Sequence, residues 1–172
     1  MEIKMPRSCS FLYTLSLTLL SLILLSGTGL SLEFKPYGRG DFDQIAQLRE
    51  NRPRIIHYWS VTCPACIAEL GQWTKFINEH RDIDIIFINT DDDEDRERAA
   101  ARLEKNGLSR ATHYGFSDSF VEKLYYEADK SWRGELPFTV LISTNASRVN
   151  VTGALDDPHF VAWLNQLNGV KK

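Results

Sequence analysis

The residues Arg54-Ile55-Ile56-His57-Tyr58-Trp59 form a compact β-prone run, and Ser60-Val61-Thr62 then leads directly into Cys63-Pro64-Ala65-Cys66. A long helical pattern begins there, with Cys66, Leu70, Trp73 and Ile77 at spacings of three and four. Strand, short turn and helix with two cysteines at the junction constrain the fold more than any other segment. Ile83 to Asn89 is almost continuously apolar, which predicts a central strand covered on both faces and hence a parallel pairing. A βαβ unit with helices on the sheet is the expected nucleus of an α/β domain.

The remaining segments extend that unit. Leu32 to Pro36 reads as a short extended piece. Asp41 is expected to cap a helix with Phe42, Ile45, Ala46 and Leu48 on one face, ending before Pro53. The acidic run Asp91 to Asp95 leads into a helix carrying Ala99, Ala100 and Leu103 and closed by Lys105-Asn106-Gly107, an order that suits the helix dipole. A short strand is expected over residues 111–115, and Ser119-Phe120-Val121-Glu122 has the form of a capping box opening the next helix. Phe138 to Ile142 and Arg148 to Val151 read as strands paired antiparallel across a turn. The final helix starts at Asp156-Asp157-Pro158 and is predicted to bury Phe160, Trp163, Leu164 and Leu167.

Lys4 and Arg7 precede an apolar run from Phe11 to Leu25, with small residues at Gly27, Gly29 and Ser31. Residues 1–31 therefore read either as a cleaved signal peptide or, counted over residues 11–30, as an uncleaved signal anchor. Either reading exports residues 32–172 as a single domain. Of 20 basic and 23 acidic residues only Lys4, Arg7 and Glu2 lie in the first 31. The rest carries a net charge of about −4, which disfavours a nucleic-acid partner. Cys9 precedes the apolar run, so the exported part holds two cysteines, both in the Cys-x-x-Cys. A disulfide-stapled secreted domain would spread its cysteines over distant segments, so this usage points to redox chemistry.

Disulfide exchange needs an accessible thiolate and a second thiol close enough to resolve the mixed disulfide. Cysteines at a helix start supply both: the unpaired N–H groups and dipole of the first turn favour the thiolate, and the second cysteine lies one turn inward. Cys63 is the expected attacker and Cys66 the resolver, with Pro64 in the first turn, where its missing N–H costs least. A zinc site would need two further ligands. His57, His80, His113 and His159 are not paired at ligand spacing, and there is no second Cys-x-x-Cys. A structural disulfide over so short a loop would stabilise little. No metal and no cofactor beyond the cysteine pair is expected.

Ile55-Ile56-His57-Tyr58-Trp59-Ser60-Val61-Thr62-Cys63-Pro64-Ala65-Cys66-Ile67-Ala68-Glu69-Leu70, together with Leu136-Pro137-Phe138-Thr139-Val140-Leu141-Ile142, resembles the thioredoxin-like superfamily. The likeness is to its exported, often membrane-tethered TlpA-like thiol-disulfide oxidoreductases and covers most of residues 40–168. The resemblance implies a central mixed sheet flanked by helices, with a βα insertion between the Cys-x-x-Cys helix and the cis-proline strand, here around residues 111–128. It also implies that Pro137 is the cis-proline opposite the cysteines and that the Leu136 backbone pairs with an incoming substrate strand. Trp59 would pack beneath the site, and Glu69 would help move the proton of the resolving thiol, the other reading of Glu69 being a solvated helix residue. His57 departs from the aspartate or asparagine usual at its position and is expected to be a core histidine satisfied by a backbone carbonyl, although it could tune the thiols. Thr62 departs from a tryptophan often found before the first cysteine.

The activity implied is exchange with protein thiols and disulfides in a periplasm, most readily as a reductase fed by a membrane electron donor and serving cytochrome c maturation or copper-protein thiols. An oxidant or isomerase, or a Cu(I)-binding relay on the same fold, stands as the alternative. The acidic run lacks the glycine and ligand spacing of an EF-hand loop. Two sequons, at Asn145 and Asn150, are assigned no function.

Overall fold

The computed structural model describes residues 32–47 and 52–170. The signal or anchor segment at residues 1–31, and Leu48, lie outside the described residues.

Six strands form one sheet in the order β1-β4-β3-β2-β5-β6: β1 Lys35–Tyr37, β2 Arg54–Trp59, β3 Asp84–Asn89, β4 Thr112–Phe116, β5 Phe138–Ile142 and β6 Arg148–Thr152. β1, β4, β3 and β2 run parallel, while β5 pairs antiparallel with both β2 and β6. The helices are α1 Asp41–Ala46, α2 Pro64–Glu79, α3 Arg96–Lys105, α4 Val121–Ala128 and α5 Pro158–Val170. The strand and helix pattern read from the sequence is thus present, and the pairing is mixed, as the resemblance implies. β4 with α4 is an integral part of the architecture, because β4 lies between β3 and β1 and hydrogen-bonds to both.

All six residues of β2 are buried, and their alternation divides the core in two. Ile55 and Trp59 pack with Cys66, Leu70, Trp73, Phe87, Phe160 and Trp163 on one side of the sheet. Ile56 and Tyr58 pack with Tyr37, Phe42, Trp132, Phe138 and Val140 on the other. The Tyr37 and Tyr58 hydroxyls meet at 2.9 Å, and burial pushes the ionisation of both phenols up. The register sets Thr139, His57, Phe87 and His113 in one row across four strands.

Two helix starts differ from the sequence reading. Asp41 is the first residue of α1; the cap position is Gly40 at φ 85°, and the Asp41 carboxylate accepts the Gly38 N–H at 2.7 Å. The Ser119 capping box does not form: Phe120 occupies the cap position without a side-chain bond, and Asp118 accepts the Phe120 N–H at 2.9 Å. In both places a nearby aspartate closes a local turn that competes with the cap.

Candidate active site

The chain leaves β2 at Trp59, turns through Ser60 to Thr62, and enters α2 at Pro64 with Cys63 as the cap residue. The Cys63 sulfur accepts the Cys66 N–H at 3.1 Å, so one orphan donor of the first turn points at it. Cys63 and Cys66 are joined as a disulfide with Cα atoms 5.3 Å apart. Their exposure is unequal: Cys63 is partly accessible, while Cys66 is fully buried.

The turn before Cys63 is held from beneath by Asp91. This carboxylate is buried and accepts the Val61 N–H at 2.8 Å, the Asn89 side-chain amide at 2.6 Å and the Ser60 hydroxyl. Ser60 in turn accepts the Thr62 N–H at 2.9 Å. Arg96 completes the frame, donating to Asn89 Oδ1, the Asp91 carbonyl and the Phe116 carbonyl. The sequence pattern places Asp91 among the acids of a helix start. The structure corrects that: the 3₁₀ turn begins at Asp93 and Asp91 faces inward. A polar Asn-x-Asp at the end of an otherwise apolar strand was the available signal.

Glu69 lies one turn inward of Cys66 and is 2% exposed, so it is not a solvated surface residue. Its carboxylate accepts the Trp73 indole N–H at 3.3 Å and the Leu155 backbone N–H at 3.2 Å. His57 is 1% exposed. No backbone carbonyl satisfies it, contrary to the sequence reading: Nδ1 pairs with Thr139 Oγ1 at 3.0 Å, and Nε2 lies 3.2 Å from Glu69 Oε1. That last contact is close enough for charge attraction but off the line of a hydrogen bond, and Nε2 has no hydrogen-bond partner. The carbonyl-bound histidine is instead His113, whose Nε2 donates to Leu108 O at 2.8 Å. Burial lowers its proton affinity, opposed by that bond.

The peptide Leu136–Pro137 is cis. Since Tyr58 faces Phe138 across the antiparallel pair, Pro137 continues the register beside Trp59, where β2 turns into the cysteine segment. Leu136 is partly buried and packs against both core clusters. Trp132 braces the segment before it: its ring stacks on Phe138 at 4.3 Å and its indole N–H donates to Glu135 O at 2.8 Å. Trp59 is fully buried in the cluster that contains Cys66. Trp59, Cys63, Cys66 and Leu136 share one hydrophobic cluster, with Glu69 one turn along α2 from Cys66 and Pro137 next in register after Phe138. Among the described residues no group of three or more histidine, cysteine or acidic side chains is placed to hold a metal ion.

A parallel strand on one side of β2, a disulfide at the start of the following helix and a cis-proline opening the antiparallel neighbour on the other side together decide the architecture. The chain has the thioredoxin-like fold. Similar solved structures include a secreted Mycobacterium tuberculosis disulfide oxidoreductase homologous to E. coli DsbE, with a TM-score of 0.51 and 14% identity, covering 69% of this chain and 82% of that one. StoA from Bacillus subtilis gives 0.50 and 18%, covering 67% and 84%. A putative thioredoxin from Neisseria meningitidis gives 0.52 and 14%, covering 74% and 79%. No protein-family model matches the sequence, and no curated protein matches it. At these identities the thioredoxin-like architecture is what the neighbours share with this chain. Among the described residues no helix is long and apolar enough to cross a membrane.

Proposed function

We propose that the protein is an exported thiol-disulfide oxidoreductase that exchanges its Cys63–Cys66 couple with protein partners, acting as a reductase. The observation that carries this reading is the asymmetry of the cysteine pair: a partly accessible Cys63 at the helix start and a fully buried Cys66 one turn inward, above a buried carboxylate. In the reduced protein the Cys63 thiolate, favoured by the first-turn N–H groups, attacks a partner disulfide and expels one partner thiolate. Cys66 then gives up its proton, attacks Cys63 Sγ and releases the second partner sulfur. Glu69, on the same helical face as Cys66, is the group to receive that proton. Leu136 and Pro137 would line the strand of the partner that reaches Cys63.

Residues 1–31 serve in this proposal as signal or anchor, and residues 32–172 work on the periplasmic side of the inner membrane. A membrane electron donor re-reduces the couple, and the thiols served are those of apocytochrome c or of copper-handling proteins. The deciding experiment is the reduction potential, obtained by equilibration in redox buffers with Cys63→Ser as control. A value below about −220 mV supports the reductase, and one near −120 mV makes the protein an oxidant. If no reversible couple forms, exchange is ruled out and Cu(I) titration of the reduced protein becomes the next measurement.

A further inference from the structure

Two buried groups able to take a proton lie side by side beneath Cys66, and the exchange reaction as described uses only one of them. His57 and Glu69 are 1% and 2% exposed, with Nε2 and Oε1 3.2 Å apart. The carboxylate already accepts from Trp73 Nε1 and Leu155 N, the pattern of an ionised acid. The imidazole is fixed in orientation by Trp73 at 4.6 Å, Phe87 at 5.7 Å and the Thr139 hydroxyl. Burying two such groups with one ring nitrogen unpartnered costs stability that an apolar pair of similar volume would avoid. Of the other elements packed here, β4 offers His113, held by Leu108 O and stacked on the far side of Phe87. α5 offers the uncharged Phe160 and Trp163. In the reduced protein Cys66, buried in the same cluster and one turn before Glu69 on α2, carries a thiol proton on this face.

The approach of Nε2 to Oε1 lies off the N–H direction of the ring, which accounts for a close contact without a hydrogen bond.

We propose that His57 is a positioning residue that shares with Glu69 the proton leaving Cys66 in the resolving step. This rests on the exchange reading above. The Cys66 S–H proton passes to the Glu69 carboxylate and is then carried by the Glu69–His57 pair. The sulfur electron pair left behind forms the Cys63–Cys66 bond, the bond from Cys63 to the partner sulfur breaks, and the partner leaves as a thiolate that is protonated by solvent. Re-reduction by the electron donor returns the proton to Cys66.

The test uses the full-length protein loaded at Cys63 with a peptide thiol, following peptide release between pH 5 and 9 for wild type, Glu69→Gln, His57→Phe and the double variant. Each single change is expected to slow release by about tenfold, and the double variant to be no slower than Glu69→Gln, because residues acting as one unit are not additive. An inflection in the wild-type pH profile is expected to vanish in His57→Phe. Multiplicative losses, or an unchanged profile in His57→Phe, overturn the proposal. Should His57→Phe fail to fold, imidazole nitrogen NMR of the wild-type protein decides: Nε2 protonation that differs between the oxidised and reduced forms supports the shared proton, and identical titration in both refutes it. Wild-type protein that releases no peptide at any pH, with Cys66→Ser trapping no mixed disulfide, overturns the exchange reading itself. Normal exchange with an indifferent His57 removes only the shared proton.

Discussion

Replacing Asp91 by alanine removes the acceptor for three donors at once, and its cost can be worked from the structure. The carboxylate is 7% exposed and receives Val61 N–H, the Asn89 amide and the Ser60 hydroxyl. Hydrogen bonds to a charged group are worth about 1.5–3 kcal/mol each. Ser60 keeps Thr62 as a second partner, so the uncompensated losses fall on Val61 and Asn89. Relief from burying a charge offsets part of this, leaving a net destabilisation of about 3 kcal/mol. For a domain of this length that is a fall in Tm on the order of 10 °C. Urea unfolding of the oxidised protein, followed by tryptophan fluorescence, measures it directly. Asp92→Ala, one residue along and exposed, is the control and should change stability by less than about 0.5 kcal/mol. Asp91→Asn keeps one acceptor oxygen and should fall between the two. If Asp91→Ala and Asp92→Ala unfold at the same urea concentration, the buried-anchor argument is wrong.

Three further changes probe separate parts of the structure. Burial depresses the proton affinity of His113, so the unfolded chain binds a proton there more readily than the native one, and stability falls as the pH drops below about 6.5; His113→Phe should flatten urea midpoints between pH 7 and 5, and an unaltered slope would exclude this residue as the cause. A Cβ at Gly115 would overlap Nη1 and Cζ of Arg96 and displace it from Asn89, Asp91 and Phe116; Gly115→Ala should cost about 2–3 kcal/mol in thermal unfolding, and a neutral result would show that Arg96 can move aside freely. Trp132→Ala removes a ring 4.3 Å from Phe138 and 4.8 Å from Tyr58; a loss of about 3–5 kcal/mol is expected, with faster proteolysis between residues 129 and 136, and a loss under about 1 kcal/mol would mean the stack carries little.

The sheet and the cysteine junction were legible because they are periodic or local. β2 follows Arg54–Trp59 as read, and β3 and β5 depart from the apolar runs by at most a residue. Asp91 was not legible, because a run of five acids looks alike whether its first member points into the protein or out of it. What separates Asp91 from Asp92 is the end of β3, where Asn89 and the Ser60 turn converge in space. His57 failed for a related reason. Its partners sit on β5 and α2, so a strand histidine can be assigned its neighbours only when the register is known. Glu69 was singled out by the family resemblance, but its burial depends on the approach of the segment containing Leu155, 86 residues away.

The alternation along β2 ties the chemistry to strand register. Sliding β2 by one residue against β3 and β5 would turn His57 away from Glu69 and deliver Tyr58 in its place, a phenol where an imidazole stands. Such a misaligned molecule could retain its sheet and its Cys63–Cys66 pair and still lack the polar contacts beneath the resolving thiol. On the proposed exchange reading, correct pairing of one strand acts as a proofreading step for the site: a preparation that looks folded by its strand content but slipped at β2 would exchange slowly, and specific activity would gauge alignment as well as chemistry.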